Sequence, residues 1–331
     1  KGKERLDNAI EALALICEPV EPPKGELQYI HYFCGNVEIP EDLKEREPKR
    51  TALYKGTVAL LRAYGNIADD LSEAGYSESD GTRIKSLLKH YVDLRDTIRN
   101  ASGETLDLKP YEADMRHLID NYIEASEPRK ISPFDNIGLL DLIVKTGIAA
   151  AINEKLAGLK GNRDAIAETI ENNVRKKIIT DSLSDPAFYE RMSKLLDEVI
   201  ADRKAKAVAY EEYLKRIAEI VKKVGAGKAE DTPAKLDSAG KRAIYNKLKE
   251  LLSQPAPNSK VAESAGTYMS MEDHVLELAL RIDQTVKKVR PDSWRRVQAK
   301  EAVIKSALFA ILQDDDQVDA IFCIIENQRE Y

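Results

Sequence analysis

The stretch Asp185–Gly225, "DPAFYERMSKLLDEVIADRKAKAVAYEEYLKRIAEIVKKVG", sets the class of this protein. Met192, Leu195, Leu196, Val199 and Ile200 recur every three or four residues, and Tyr210, Leu214, Ile217, Val221 and Val224 repeat the pattern. That is the period of a helix with one buried face. Asp185 is a good N-cap, and Pro186 fits a first turn, where a missing N–H costs little. Between the two apolar stripes lies the small, charged "ADRKAKAVA". The spacing predicts one very long helix over about 186–224, roughly 57 Å at 1.5 Å per residue, or two helices bent near Arg203–Lys206.

The same period runs outward in both directions. Leu6, Ile10, Leu13 and Ile16 predict a first helix, broken by "EPVEPPKG", where Pro and Gly stop helices. "LQYIHYFCGN" (27–36) reads either as a helix or as a small extended segment, and "NVEIPEDLKEREPKR" reads as a charged loop with a boundary near Pro48. Leu53 to Leu71 predict a helix stopped by Gly75. Ile84 to Ile98 predict another, opened by the cap-type residues of "SESD". "DLKPYEADMRHLIDNYI" and "SPFDNIGLLDLIVKTG" give two more, the second with Pro133 in its first turn, and "IAAAINEKLAGLKG" continues after a bend at Gly147. After the long segment come "KRAIYNKLKELLSQ", the linker-like "PAPNSKVAESAGTYMSM", and three final helices. No segment alternates as a half-buried strand does. The expected fold is an all-α multi-helix bundle with domains at 1–50, 51–160 and 161–331.

Composition narrows the function. Charged residues make up 33% of the 331 residues and the net charge is −6, so nucleic acid contact needs a local patch. Cys17, Cys34 and Cys323 form no disulfide framework, and His31, His90, His117 and His274 complete no metal set. No apolar run reaches the length of a membrane span. Reduced thiols in a cytoplasmic protein are expected. An opening on Lys rather than Met reads as a piece of a longer chain.

Four stretches invite a functional reading. "VKKVGAGKAED" (221–231) imitates a phosphate-binding loop, but Lys222 stands at the first glycine position, Ala229 replaces the metal-binding hydroxyl, and a helix rather than a strand precedes it. A glycine helix stop explains it. Asp314, Asp315 and Asp316 could hold a divalent cation, but they also stand where acids favour a helix N-terminus. Arg175, Lys176 and Lys177 read as a basic surface turn. The strongest feature is Lys287–Lys305, where Lys287, Lys288, Arg290, Arg295, Arg296, Lys300 and Lys305 face only Asp292 and Glu301, with the single tryptophan, Trp294, among them. It suits contact with phosphates or with an acidic protein; it equally suits a solvated helix face with Trp294 as a core anchor. No nucleophile elbow appears, and no catalytic residue is assigned.

Several stretches resemble one family. "TVALLRAYGNIADDLSEAGYS" (57–77), "IKSLLKHYVDLRDTIRNASGETLDLKPYEADMRHLIDNYI" (84–123), "ISPFDNIGLLDLIV" (131–144) and the tail "AKEAVIKSALFAILQDDDQVDAIFCIIENQREY" (299–331) are similar to the restriction (motor) subunit of type I restriction–modification enzymes. "YFCGN" (32–36) resembles the exit from that subunit's second motor lobe. The resemblance implies a C-terminal helical region of a site-specific deoxyribonuclease, with residues 1–50 as the tail of the second motor lobe. Such a subunit uses ATP and Mg2+ in nuclease and motor domains whose motifs have no counterpart here, so no cofactor is expected in this chain. The implied role is docking onto the methyltransferase and specificity subunits and onto the subunit's own upstream motor lobes, in a bacterial or archaeal cytoplasm. Duplex DNA held by the patch at 287–305 is the alternative.

Overall fold

The computed structural model describes residues 2–39, 41–103, 138–159, 161–229, 232–253 and 271–331. The protein is all-α: among the described residues there is no strand. It divides into two compact units, one formed by Lys1–Lys176 with Ile200–Val221, the other by Lys177–Val199 with Lys222–Tyr331.

In the first unit, α1 (Gly2–Cys17) packs along α4 (Glu47–Gly65), and α2 (Glu26–Cys34) packs on α4 and on α5 (Glu78–Ser102). Leu6, Leu13, Ile30, Phe33, Leu53, Leu61, Ile84 and Leu88 fill the space between them. Gly56 lets α1 and α4 approach closely, since a Cβ there would stand 2.8 Å from Leu13 Cδ2. Ser77 and Asp80 open α5 with a reciprocal capping box, each side chain accepting the other's backbone N–H at 3.1 Å. The aromatic segment at 27–36 is helical rather than extended. The charged loop after it holds the short α3 (Asp42–Glu45) and the start of α4, with Pro48 in that helix's first turn. α4 stops at Gly65, well short of Gly75, and a 3-10 turn at Ala68–Asp70 follows. α6 (Leu139–Thr146) and α7 (Ile148–Lys155) are separated by Gly147 at φ 86°. The helix expected over "DLKPYEADMRHLIDNYI", Pro133, and the linker "PAPNSKVAESAGTYMS" lie outside the described residues.

The long helix expected over 186–224 is two helices, α9 (Pro186–Lys204) and α10 (Tyr210–Ala226); α8 (Arg163–Asp181) precedes them. Asp185 caps α9, its Oδ1 accepting the Phe188 N–H at 3.0 Å. The break follows from how α9 ends. Lys206 turns left-handed at φ 53°, its N–H donating to Arg203 O, while Ala207 N–H donates to Asp202 O at 2.9 Å. This is a Schellman stop built on a lysine where glycine is usual. Lys206→Gly is therefore expected to raise stability by about 0.5–1 kcal/mol, because the left-handed cost of a Cβ exceeds glycine's entropic cost; a urea midpoint measures it. At the other end α10 closes on Gly227 at φ 59°, the helix stop expected of "GAGKAED".

The second unit centres on four helices, α11 (Ala239–Ser253), α12 (Met271–Val289), α13 (Gln298–Leu312) and α14 (Asp315–Asn327). Each packs on two others, in the cyclic order α11, α12, α13, α14. Ile244, Leu248, Val275, Ile282, Ile304, Leu308, Ile321 and Ile325 form their shared core. Asp314 caps α14 by accepting the Gln317 N–H at 2.9 Å.

Candidate functional site

The basic stretch occupies the end of α12, the start of α13 and the turn between them. Pro291 prevents α12 from continuing, and Ser293 and Arg296 take left-handed conformations at φ 51° and 64°. These two reversals carry Trp294 inward. It is 3% exposed and meets Phe322 edge to face, with ring centroids 5.7 Å apart. The core-anchor reading of the tryptophan therefore holds.

The cations around it are mostly engaged within the protein. Arg295 donates through Nε to Glu326 O at 3.0 Å and through Nη2 to Gln328 O, at the end of α14. A guanidinium there meets carbonyls that the helix leaves unpaired and opposes the negative end of its dipole. Arg290 Nη1 donates to Glu330 O at 3.0 Å. Lys300 Nζ donates to Asp292 O at 2.6 Å. Lys287 pairs with Asp283 at 2.7 Å and Lys305 with Asp319 at 2.8 Å. Lys288 is exposed, and neither it nor the Arg296 guanidinium makes an ion pair or hydrogen bond among the described residues.

The bonds of Arg290 and Arg295 converge on the end of α14 and the segment after it. Its side chains are anchored too: Gln328 Nε2 donates to Ser184 O, Glu330 Oε1 accepts from Gly240 N and Ser238 Oγ, and the Tyr331 hydroxyl donates to buried Asp283 at 2.7 Å. Burial and the Asp283 carboxylate both push the Tyr331 phenol well above its ordinary range. Two cations of the patch, Arg290 and Arg295, thus hold the carbonyls of Gln328 and Glu330.

A second polar constellation, in the first unit, escaped sequence reasoning. Its scaffold is α8, whose Glu168, Glu171, Asn172, Asn173 and Arg175 are all buried. Arg175 is no surface residue: it is 1% exposed, and its Nε and Nη2 donate to Val37 O at 3.2 and 3.0 Å. Arg46 and Arg50 similarly hold the last carbonyls of α2, those of Tyr32 and Phe33, each at 2.9 Å. Arg203 clasps Glu171 with Nε–Oε1 2.8 Å and Nη2–Oε2 2.9 Å, and the Tyr213 hydroxyl donates to the same carboxylate at 3.0 Å. Burial pushes the Glu171 carboxyl up, while Arg203 and Tyr213 pull it back. His31 Nε2 stands 2.6 Å from Glu168 Oε2.

A cavity of about 490 Å3 opens beside this pair, walled by Gln28, His31, Tyr32, Arg46, Glu168 and Lys204 among others. Most of its charged groups have partners, His31 with Glu168, Arg46 with Asp42 at 3.6 Å and Lys204 with Glu38 at 3.2 Å, while Glu21, which also lines it, pairs with no cation among the described residues. The Lys204 hydrogen bond holds the Glu38 carboxyl below its ordinary value. Close polar pairs between side chains dominate this constellation. Asn and Arg in mid-helix gave no warning of it, because polar residues around a whole helix ordinarily signal solvent.

Among the described residues no group of three or more His, Cys, Asp or Glu side chains is placed to hold a metal ion, and no helix is long and apolar enough to cross a membrane. Comparison with protein-family models, with curated proteins and with solved structures found no match.

Proposed function

We propose that this chain is a non-catalytic helical assembly module that docks a motor and nuclease subunit onto the methyltransferase–specificity core of a type I restriction–modification enzyme. The partner's identity rests on the sequence resemblance at 57–77, 84–123, 131–144 and 299–331. The structural support is the outward face of α13. Its exposed positions are Gln298, Ala299, Ala302, Val303, Ser306, Phe309 and Ala310. None is charged, in a chain where 33% of residues are. Val303 and Phe309 are 47% and 45% exposed. Ala299, Val303, Ser306 and Ala310 follow one another at helical spacing, and a helix apolar on both sides ordinarily has neighbours on both. An exposed aromatic ring on a face poor in charge is also a feature of interface cores.

The test is size-exclusion chromatography of the chain with a purified methyltransferase–specificity core, with and without duplex DNA. Co-elution without DNA is the expected result. Phe309→Asp is expected to weaken it by roughly thirtyfold or more, as loss of a central aromatic anchor does. Because the side chain is half exposed, the thermal midpoint should barely move. Absence of co-elution removes the proposal, and binding of DNA by the chain alone transfers the role to the cations at 287–305.

A further inference from the structure

We infer that the turn between α12 and α13 carries a binding site for a small oxyanion, a phosphate or carboxylate group. The site is independent of the apolar face of α13 and lies wholly within the second unit. A cavity of about 430 Å3 opens there, lined by Arg290, Asp292, Ser293, Trp294, Arg295 and Tyr331, with Pro291.

Among the side chains on this wall, donors outnumber acceptors. Arg290 spends Nη1 on Glu330 O, so Nε and Nη2 remain. Arg295 spends Nε and Nη2 on two carbonyls, so Nη1 remains. Both guanidinium groups are therefore held by one edge and offer another, an arrangement that reduces the ordering cost of taking a ligand. Planar guanidinium groups match the geometry of carboxylate and phosphate oxygens. The Ser293 hydroxyl makes no hydrogen bond among the described residues. On the acceptor side stands the exposed Asp292 carboxylate, one acid against two guanidinium groups, while the Tyr331 hydroxyl is taken by Asp283. Asp283 is itself matched by Lys287, and Lys288 adds an exposed charge nearby in sequence.

Trp294 supplies an independent observation. Its Nε1–H is buried and has no acceptor. Native proteins leave few buried donors unmet, and an ion or water is a usual partner when no protein group serves. The Arg295 guanidinium covers the indole, 4.8 Å from the ring centroid. An anion held by Arg295 therefore lies close enough to the indole to alter its surroundings. The net charge of −6 works against a long polyanion while leaving a single group free to bind.

Trp294 is the chain's one tryptophan, so its emission reads the site directly. The experiment titrates inorganic phosphate and, separately, acetate into the native chain, with chloride holding ionic strength constant. A saturable change of emission with either anion is expected, and the two arms distinguish phosphate from carboxylate as the preferred group. Arg290→Gln should weaken binding by about tenfold or more, the loss typical of a charge-assisted hydrogen bond. Arg290→Lys should recover only part of it, because an ammonium keeps the charge without the fork. Thermal midpoints establish that each variant is folded. A response in the native chain that never saturates, or that equal chloride reproduces, overturns the site; so does unchanged binding in a folded Arg290→Gln.

Discussion

Replacing Arg203 with alanine is expected to cost the first unit about 3–5 kcal/mol, the usual result of removing one partner from a buried ion pair. Glu171 is completely buried and Arg203 only 10% exposed at the side chain, so solvent cannot replace the lost guanidinium. The remaining carboxylate would keep one donor, the Tyr213 hydroxyl. Glu171→Leu in the same chain should restore part of the loss, since it removes the buried carboxylate that Arg203 clasped, while Glu168 and Asp164 still lose a cation. Urea unfolding of the single and double variants measures both. The pH dependence gives a separate check. Burial raises the folded Glu171 carboxyl above its ordinary 4.5, and without Arg203 less opposes that rise. A raised carboxyl binds more protons folded than unfolded, so the single variant should be most stable in acid and lose stability as pH climbs through the raised value. A variant whose stability rises with pH across that window would contradict the account.

Trp294→Ala is expected to cost the second unit a similar amount, about 3–5 kcal/mol, through the cavity left among its helices. The indole fills space against Phe322 and supports the Arg295 guanidinium that holds the end of α14. Trp294→Phe should cost much less. It keeps an aromatic edge against Phe322, and the N–H it discards has no acceptor to lose. Circular dichroism melts of the two variants would separate packing from polar contributions. Equal losses from Ala and Phe would show that the ring's contact with Phe322 contributes little.

Helix identity was largely legible in the sequence because it depends on local period. Asp185 and Pro186 open α9 as read, Ser77 opens α5, and Asp314 caps α14. The break after Lys204 was visible only as a weakening of the apolar stripe, since a lysine can close a helix by the turn glycine usually makes. Arg175 was misplaced for a different reason. Its acceptor, Val37 O, lies 138 residues away, and nothing in "NNVRKK" distinguishes a guanidinium that reaches a buried carbonyl from one in water. The basic stretch was legible as charge and not as geometry. Five of its cations have partners in the fold, and three of them, Arg290, Arg295 and Lys305, find theirs on or just after α14, which composition does not link to the stretch.

The division into units bears on how the protein is made. The first unit is incomplete until Ile200–Val221 has been added, and by then Lys177–Val199, which belongs to the second, has already been synthesised. A ribosome therefore releases the two units interleaved rather than in succession. A cut after any residue from 177 to 220 leaves each unit without part of its own sequence, so neither of the two pieces should yield a well-folded product when expressed by itself.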